Sequence, residues 1–284
     1  MLVVVLASML GGLAVAACSS GDDVAVSPTS VDTTTTVAAD PTEVVVATAT
    51  GDELEVLAAP PGQVTLAPSP PTTLTRPPAR ELAPIPRVGL NSAGSRKTPD
   101  GWAFDTTTYF GNPLAMPVLD QDGEWLHVMI PARPNGSTGW IRATDVELST
   151  HRFRMELDLA GFHLTVYDGT EVIAETDVVI GKDATYTPVG HFYLNEIVPQ
   201  SNPGGAYGPF VLSTNGYSES LETFDGGLPV IAFHGTNQPQ LIGTKASNGC
   251  IRMPNEIVTM LAETLPAGTP VDIVAGTPAT AAAA

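Results

Sequence analysis

Two cysteines in 284 residues, Cys18 and Cys250, are too few for a disulfide framework. Basic side chains are scarce as well: 12 Lys and Arg stand against 30 Asp and Glu, a formal charge of −18. No stretch of the chain can neutralise a row of phosphates, which excludes nucleic acid as a partner. Electrostatic adhesion to an anionic bilayer is excluded for the same reason, so any hold on a membrane must come from another source. The 5 histidines show no metal-ligand spacing to one another, to cysteine or to carboxylates, and neither a metal nor another cofactor is expected.

What is present changes character along the chain. Residues 2–17 are apolar or small and carry no charge, the length of a signal-peptide core and short for a membrane span. Val15-Ala16-Ala17-Cys18 resembles a bacterial lipobox, although no Lys or Arg precedes the apolar run. The resemblance implies cleavage after a signal peptide of residues 1–17 and acylation of Cys18, giving an extracytoplasmic, membrane-anchored lipoprotein. Residues 18–85 are rich in Thr, Ala, Val, Pro and Asp and read as a disordered linker. Val44-Val45-Val46 and Val56-Leu57 within it have strand-like composition, but repeated prolines and acidic residues favour disorder. As a flexible coil such a segment spans about 50 Å. Residues 276–284 read as a disordered tail.

Residues 86–150 look like a small module. Trp125-Leu126-His127-Val128-Met129-Ile130 and Trp140-Ile141-Arg142 have strand character, and Asp120-Gln121-Asp122-Gly123 supplies a turn before the first. The arrangement resembles small SH3-like barrels. Trp125 and Trp140 are expected to dominate its core or else to line a groove for glycan or peptide.

From residue 151 to 275 the pattern is regular. Phe153, Met155, Leu157 and Leu159 alternate with Arg152, Arg154, Glu156 and Asp158, the period of a half-buried strand. Further strands are read at 163–167, 172–180, 191–197, 209–213, 229–234 and 271–274, with a hairpin turn at Asp168-Gly169. One helix follows Cys250, with Asn255 as its cap, Glu256 in its first turn, and Ile257, Leu261 and Leu265 on one face. The fold class is mainly β.

His234-Gly235-Thr236-Asn237, followed by Ser247-Asn248-Gly249-Cys250-Ile251-Arg252-Met253, pairs a thiol with a possible base. Together with Thr187-Pro188-Val189-Gly190-His191-Phe192 and Tyr207-Gly208-Pro209-Phe210, this resembles the L,D-transpeptidases of the YkuD type, exported cysteine enzymes that cross-link peptidoglycan. The resemblance implies a β-sandwich catalytic domain over 151–275 with Cys250 as nucleophile. His234 would be its base, held by the carbonyl of Gly235, and the amides of Asn248, Gly249 and Cys250 an oxyanion site. Arg252 would bind substrate or brace the loop, with an ordinary salt bridge as the alternative. Ser247 would hold the loop. Asn248 stands where many relatives carry a second histidine.

The expected reaction forms 3→3 cross-links between stem peptides through a cysteine thioester, releasing D-alanine. A tetrapeptide stem is the donor partner and an amine on a neighbouring stem the acceptor. Carbapenems are the implied covalent inhibitors. An L,D-carboxypeptidase and an inert wall-binding lipoprotein remain as alternatives.

Overall fold

A computed structural model of the chain describes residues 40–61 and 95–276. The signal peptide, Cys18, most of the linker and residues 277–284 lie outside the described residues.

The first eight strands are β1 (Val44–Ala49), β2 (Glu53–Leu57), β3 (Ser95–Thr98), β4 (Gly101–Asp105), β5 (Ala115–Asp122), β6 (Trp125–Met129), β7 (Thr138–Arg142) and β8 (Val146–His151). They form one sheet in the order β3-β4-β2-β7-β6-β5-β1-β8. This corrects the linker reading over 18–85, because β1 and β2 are integral to that sheet. β1 sits between β5 and β8, with Val46 opposite Pro117 and Val44 opposite His151. Leu54 and Val56 are fully buried while Glu53 and Glu55 face solvent, the period of a half-buried strand. Pro41, Pro60 and Pro61 fall outside both strands and bracket them.

The turn expected at 120–123 is displaced. Asp120, Gln121 and Asp122 end β5, and the chain reverses at Gly123, whose φ of +59° suits glycine. The tryptophans do not dominate the core. Leu54, Val56, Phe104, Leu114, Met116, Leu126, Val128 and Ile141 build it. Trp125 and His127 point to the opposite face of β6 from Leu126 and Val128. There the Arg142 guanidinium covers Trp125 at 4.4 Å, and half-buried Trp140 stacks on His127 at 4.7 Å.

The remaining strands are β9 (Phe153–Asp158), β10 (His163–Asp168), β11 (Glu171–Asp177), β12 (Ile180–Gly181), β13 (Gly190–Pro199), β14 (Phe210–Tyr217), β15 (Val230–His234), β16 (Lys245–Ser247), β17 (Ile251–Arg252) and β18 (Pro270–Val274), with helix α1 (Asn255–Thr264) before the last. A second eight-stranded sheet runs β11-β10-β9-β18-β13-β14-β15-β17, and β12 pairs with β16. Two pairings are parallel in the large sheet, β9 with β18 and β15 with β17. The core face carries Met155, Leu157, Leu212, Ile231, Phe233, Ile251 and Ile273, and α1 covers it with Val258 and Leu261. Leu261 and Leu265 are buried as expected, and Ile257, expected with them, is half-buried against the same core.

The two sheets share side chains. On β13, Phe192 and Leu194 enter the core beneath α1, while Tyr193 between them is fully buried in the core of the first sheet. Glu196, also on β13 and fully buried, accepts from the Phe110 amide at 3.0 Å, from Asn112 Nδ2 at 3.2 Å and from the Thr108 hydroxyl. Asn135 pairs with the backbone of Tyr217 in both directions, at 2.8 and 2.9 Å. The module is therefore packed against the following domain through buried polar and aromatic contacts.

Candidate active site

His234 is the last residue of β15 and is 3% exposed. Its Nδ1 donates to the carbonyl of Gly235 at 2.6 Å, which selects the tautomer with Nε2 unprotonated. Nε2 has no hydrogen-bond partner among the described residues. Burial lowers the imidazole pKa to about 4; the bond to Gly235 opposes this and the Arg252 cation reinforces it. The ring is neutral at physiological pH.

β17 runs parallel to β15, with Phe233 opposite Ile251 and His234 opposite Arg252. Cys250 immediately precedes β17, so its side chain meets the edge of β15 where the ladder ends. The thiol donates to the carbonyl of Val230 at 3.7 Å, a long contact suited to sulfur. No hydrogen bond joins it to the imidazole. Burial raises the thiol pKa, while the Ala232 amide and the Arg252 cation pull it down. The resting pair is therefore neutral thiol and neutral imidazole.

Two further side chains tie the pair into one site. The Tyr207 ring lies against the imidazole, centroids 4.9 Å apart and tilted by 60°. Its hydroxyl pKa is raised by burial and then by the charges of Cys250 and Asp225, and lowered by Arg252. Arg252 acts electrostatically on His234, Cys250 and Tyr207 alike. Among the described residues no ion pair holds Arg252, and its Nε is buried without a partner. The ordinary salt bridge, the alternative for this residue, is not formed among the described residues.

The loop carrying the cysteine is held from several directions. Ser247 Oγ donates to the carbonyl of Cys250 at 2.6 Å and accepts from the Gly249 amide at 3.1 Å. Thr187 Oγ1 donates to the carbonyl of Gly249 at 2.8 Å and accepts from the Gly181 amide at 2.9 Å. Gly249 has φ +123°, a region side chains rarely adopt, and a Cβ there would press on Ile231 at 3.1 Å. Of the three amides expected to face an oxyanion, that of Gly249 is already occupied by Ser247. Those of Asn248 and Cys250 have no protein partner among the described residues.

Asn255 was expected to cap α1. Pro254 occupies the cap position without a side-chain bond, and Asn255 Oδ1 instead accepts from the Thr236 amide at 2.8 Å. Thr187 and Tyr207 lie in motifs visible in the sequence without a role that spacing alone could assign. The other four histidines lie elsewhere: His163 bonds Asp177 at 3.0 Å, His191 bonds Asp272 at 2.6 Å, His127 contacts Thr138 at 2.9 Å, and His151 accepts from the Phe153 amide at 3.1 Å.

Comparison with known proteins finds similarity over the same segment. Residues 152–273 match the family model of YkuD, described as the L,D-transpeptidase catalytic domain. The chain is 35% identical over 121 residues to a protein of Bacillus licheniformis named, provisionally, as the L,D-transpeptidase YkuD, covering 43% of this chain and 65% of that one. The corresponding Bacillus subtilis protein matches with the same identity and coverage. The chain thus spans under two thirds of the length of these relatives. Among solved structures, the NMR structure of the catalytic domain of an E. faecium L,D-transpeptidase is 25% identical, covering 43% of this chain and 95% of that one, with a TM-score of 0.33.

Proposed function

We propose that this chain, whose residues 152–273 match the L,D-transpeptidase catalytic domain, is a peptidoglycan cross-linking enzyme working through a thioester on Cys250. One observation carries the assignment of roles. A buried imidazole has Nδ1 fixed on a backbone carbonyl and Nε2 open, and it ends the strand on whose edge the thiol rests.

In this proposal the thiol leaves the Val230 carbonyl and passes its proton to His234 Nε2 as sulfur attacks the carbonyl that precedes D-alanine in a donor tetrapeptide. The amides of Asn248 and Cys250 receive the developing oxyanion, each well-placed donor contributing about 3–4 kcal/mol. The carbon–nitrogen bond breaks, the departing D-alanine amine takes the proton from the imidazolium, and the thioester remains. An amine of a neighbouring stem then attacks, gives its proton to His234, and forms the 3→3 amide as the thiol is restored. Because both groups rest neutral, proton transfer accompanies attack instead of preceding it. Arg252 is the cation at the site without a counter-ion among the described residues, which fits it to a carboxylate of the stem.

The same reading places the protein outside the cytoplasm, anchored through lipid on Cys18 and facing the wall, and makes Cys250 the target of carbapenems. Incubation with tetrapeptide-bearing muropeptides, followed by mass spectrometry, tests the reaction. Cross-linked dimer with free D-alanine is expected from the natural protein and none from Cys250→Ala. Trimmed tripeptide alone would assign a carboxypeptidase, and no product with an alkylatable thiol would leave only a wall-binding protein.

A further inference from the structure

The peptide group between Gly235 and Thr236 is bonded at both ends. Its carbonyl accepts from His234 Nδ1 at 2.6 Å, and its N–H donates to Asn255 Oδ1 at 2.8 Å. Carbonyl and N–H belong to one rigid plane, so whatever orients the N–H also orients the acceptor that orients the ring. An acceptor on the N–H also polarises the carbonyl and strengthens its bond to the imidazole.

Space has been cleared around this contact from two separate segments. A Cβ on Gly235 would overlap Asn255 Oδ1, and a Cβ on Gly208 would reach Asn255 Oδ1 and the Gly235 Cα, both at 2.5 Å. Gly208 also has φ +66°, in the left-handed region that favours glycine. Asn255 itself is the first residue of α1, one past the cap position held by Pro254. Its side chain turns to the loop after His234, while only its backbone carbonyl serves the helix, accepting from Thr259 Oγ1 at 2.8 Å. Through α1 the peptide plane is thus fixed to the packed core that Val258 and Leu261 enter.

We propose that Asn255 is the positioning residue of His234, acting through the Gly235–Thr236 peptide group. A histidine base commonly takes its third partner from a carboxylate or amide side chain in direct contact with Nδ1. Here an amide side chain plays that part at one peptide's remove. The inference rests on His234 being the base, but its geometry is testable without turnover.

Asn255→Ala and Asn255→Asp, each as the full chain, are compared with the natural protein by nitrogen NMR of the imidazole and by muropeptide turnover. In the natural protein His234 is expected as the Nδ1–H tautomer. Asn255→Ala should show mixed tautomers and lose about tenfold in kcat, with donor KM little changed. Asn255→Asp should restore the tautomer and move the acid limb of the pH profile upward, since it places a carboxylate behind the peptide. A fully retained Nδ1–H signal and unchanged kcat in Asn255→Ala would overturn the proposal. If Asn255→Ala fails to fold, Gly235→Ala, whose methyl group displaces Asn255 Oδ1, must show the same mixed tautomers or the proposal falls. A shifted tautomer in a protein that turns over no muropeptide would uphold the positioning role and reject the enzymatic reading.

Discussion

Tyr207 lies against His234 with ring centroids 4.9 Å apart, and it is the partly exposed side of an otherwise buried imidazole. Burial is the largest cause of that imidazole's low pKa. Removing the phenol ring in Tyr207→Ala should admit water and raise the His234 pKa from about 4 toward its ordinary value of about 6.5. Tyr207→Phe should leave it near the natural value. Proton NMR titration of His234 in the three proteins reads the difference directly.

The same shift links pH to stability. The folded-state pKa of His234 lies below its unfolded value, so folding favours the neutral ring. That contribution is fully present above about pH 6.5 and is lost as pH falls toward about 4. Its size is about 3 kcal/mol. Urea unfolding at pH 7 and at pH 4 should show the natural protein losing that much more stability than His234→Asn.

Cys250 rests as a neutral thiol because burial outweighs the Ala232 amide and the Arg252 cation. Its alkylation by iodoacetamide should climb with pH into the alkaline range, with no plateau between pH 5 and 8. Arg252→Gln should move that curve further up. It should also raise the His234 pKa, because the guanidinium lowers both groups. A flat profile through neutral pH would reveal a preformed ion pair.

Glu196 holds three donors of the 108–112 loop on the face of the second sheet. Glu196→Ala leaves the Phe110 amide, Asn112 side chain and Thr108 hydroxyl without their acceptor inside the protein. Unfolding stability should fall by about 3 kcal/mol, and by less in Glu196→Gln, which keeps one acceptor oxygen.

A chain that begins at residue 86 lacks β1 and β2. It would leave β5 and β8 without the strand between them and uncover the core that Leu54 and Val56 fill. Such a chain should aggregate or show a strongly lowered Tm, whereas one that begins at residue 40 should unfold like the full-length protein. Equal Tm values for the two shortened chains would show that β1 and β2 are dispensable.

How much was legible differs by element. The strands β9, β13, β15 and β18 and the helix after the cysteine followed from local periodicity, because each presents one face to a core that its own spacing describes. β1 and β2 did not. Val44-Val45-Val46 and Val56-Leu57 are strand-like, but the proline- and acid-rich sequence around them favoured disorder, and only pairing with β5, β8, β4 and β7, far along the chain, reveals them as strands. Asn255 was misassigned for a related reason: asparagine at a helix start is locally satisfied by capping, and only the loop after His234 offered it another donor.

Residue order by itself determined which thiol and which imidazole could meet, since one cysteine precedes a short strand and one histidine ends another. Tertiary structure alone decided their state and their supports. Burial depends on every neighbour at once, so it set thiol and imidazole neutral. Hydrogen-bond partners are chosen by proximity in space, and so Ser247 took the Gly249 amide, leaving two backbone donors where three were expected.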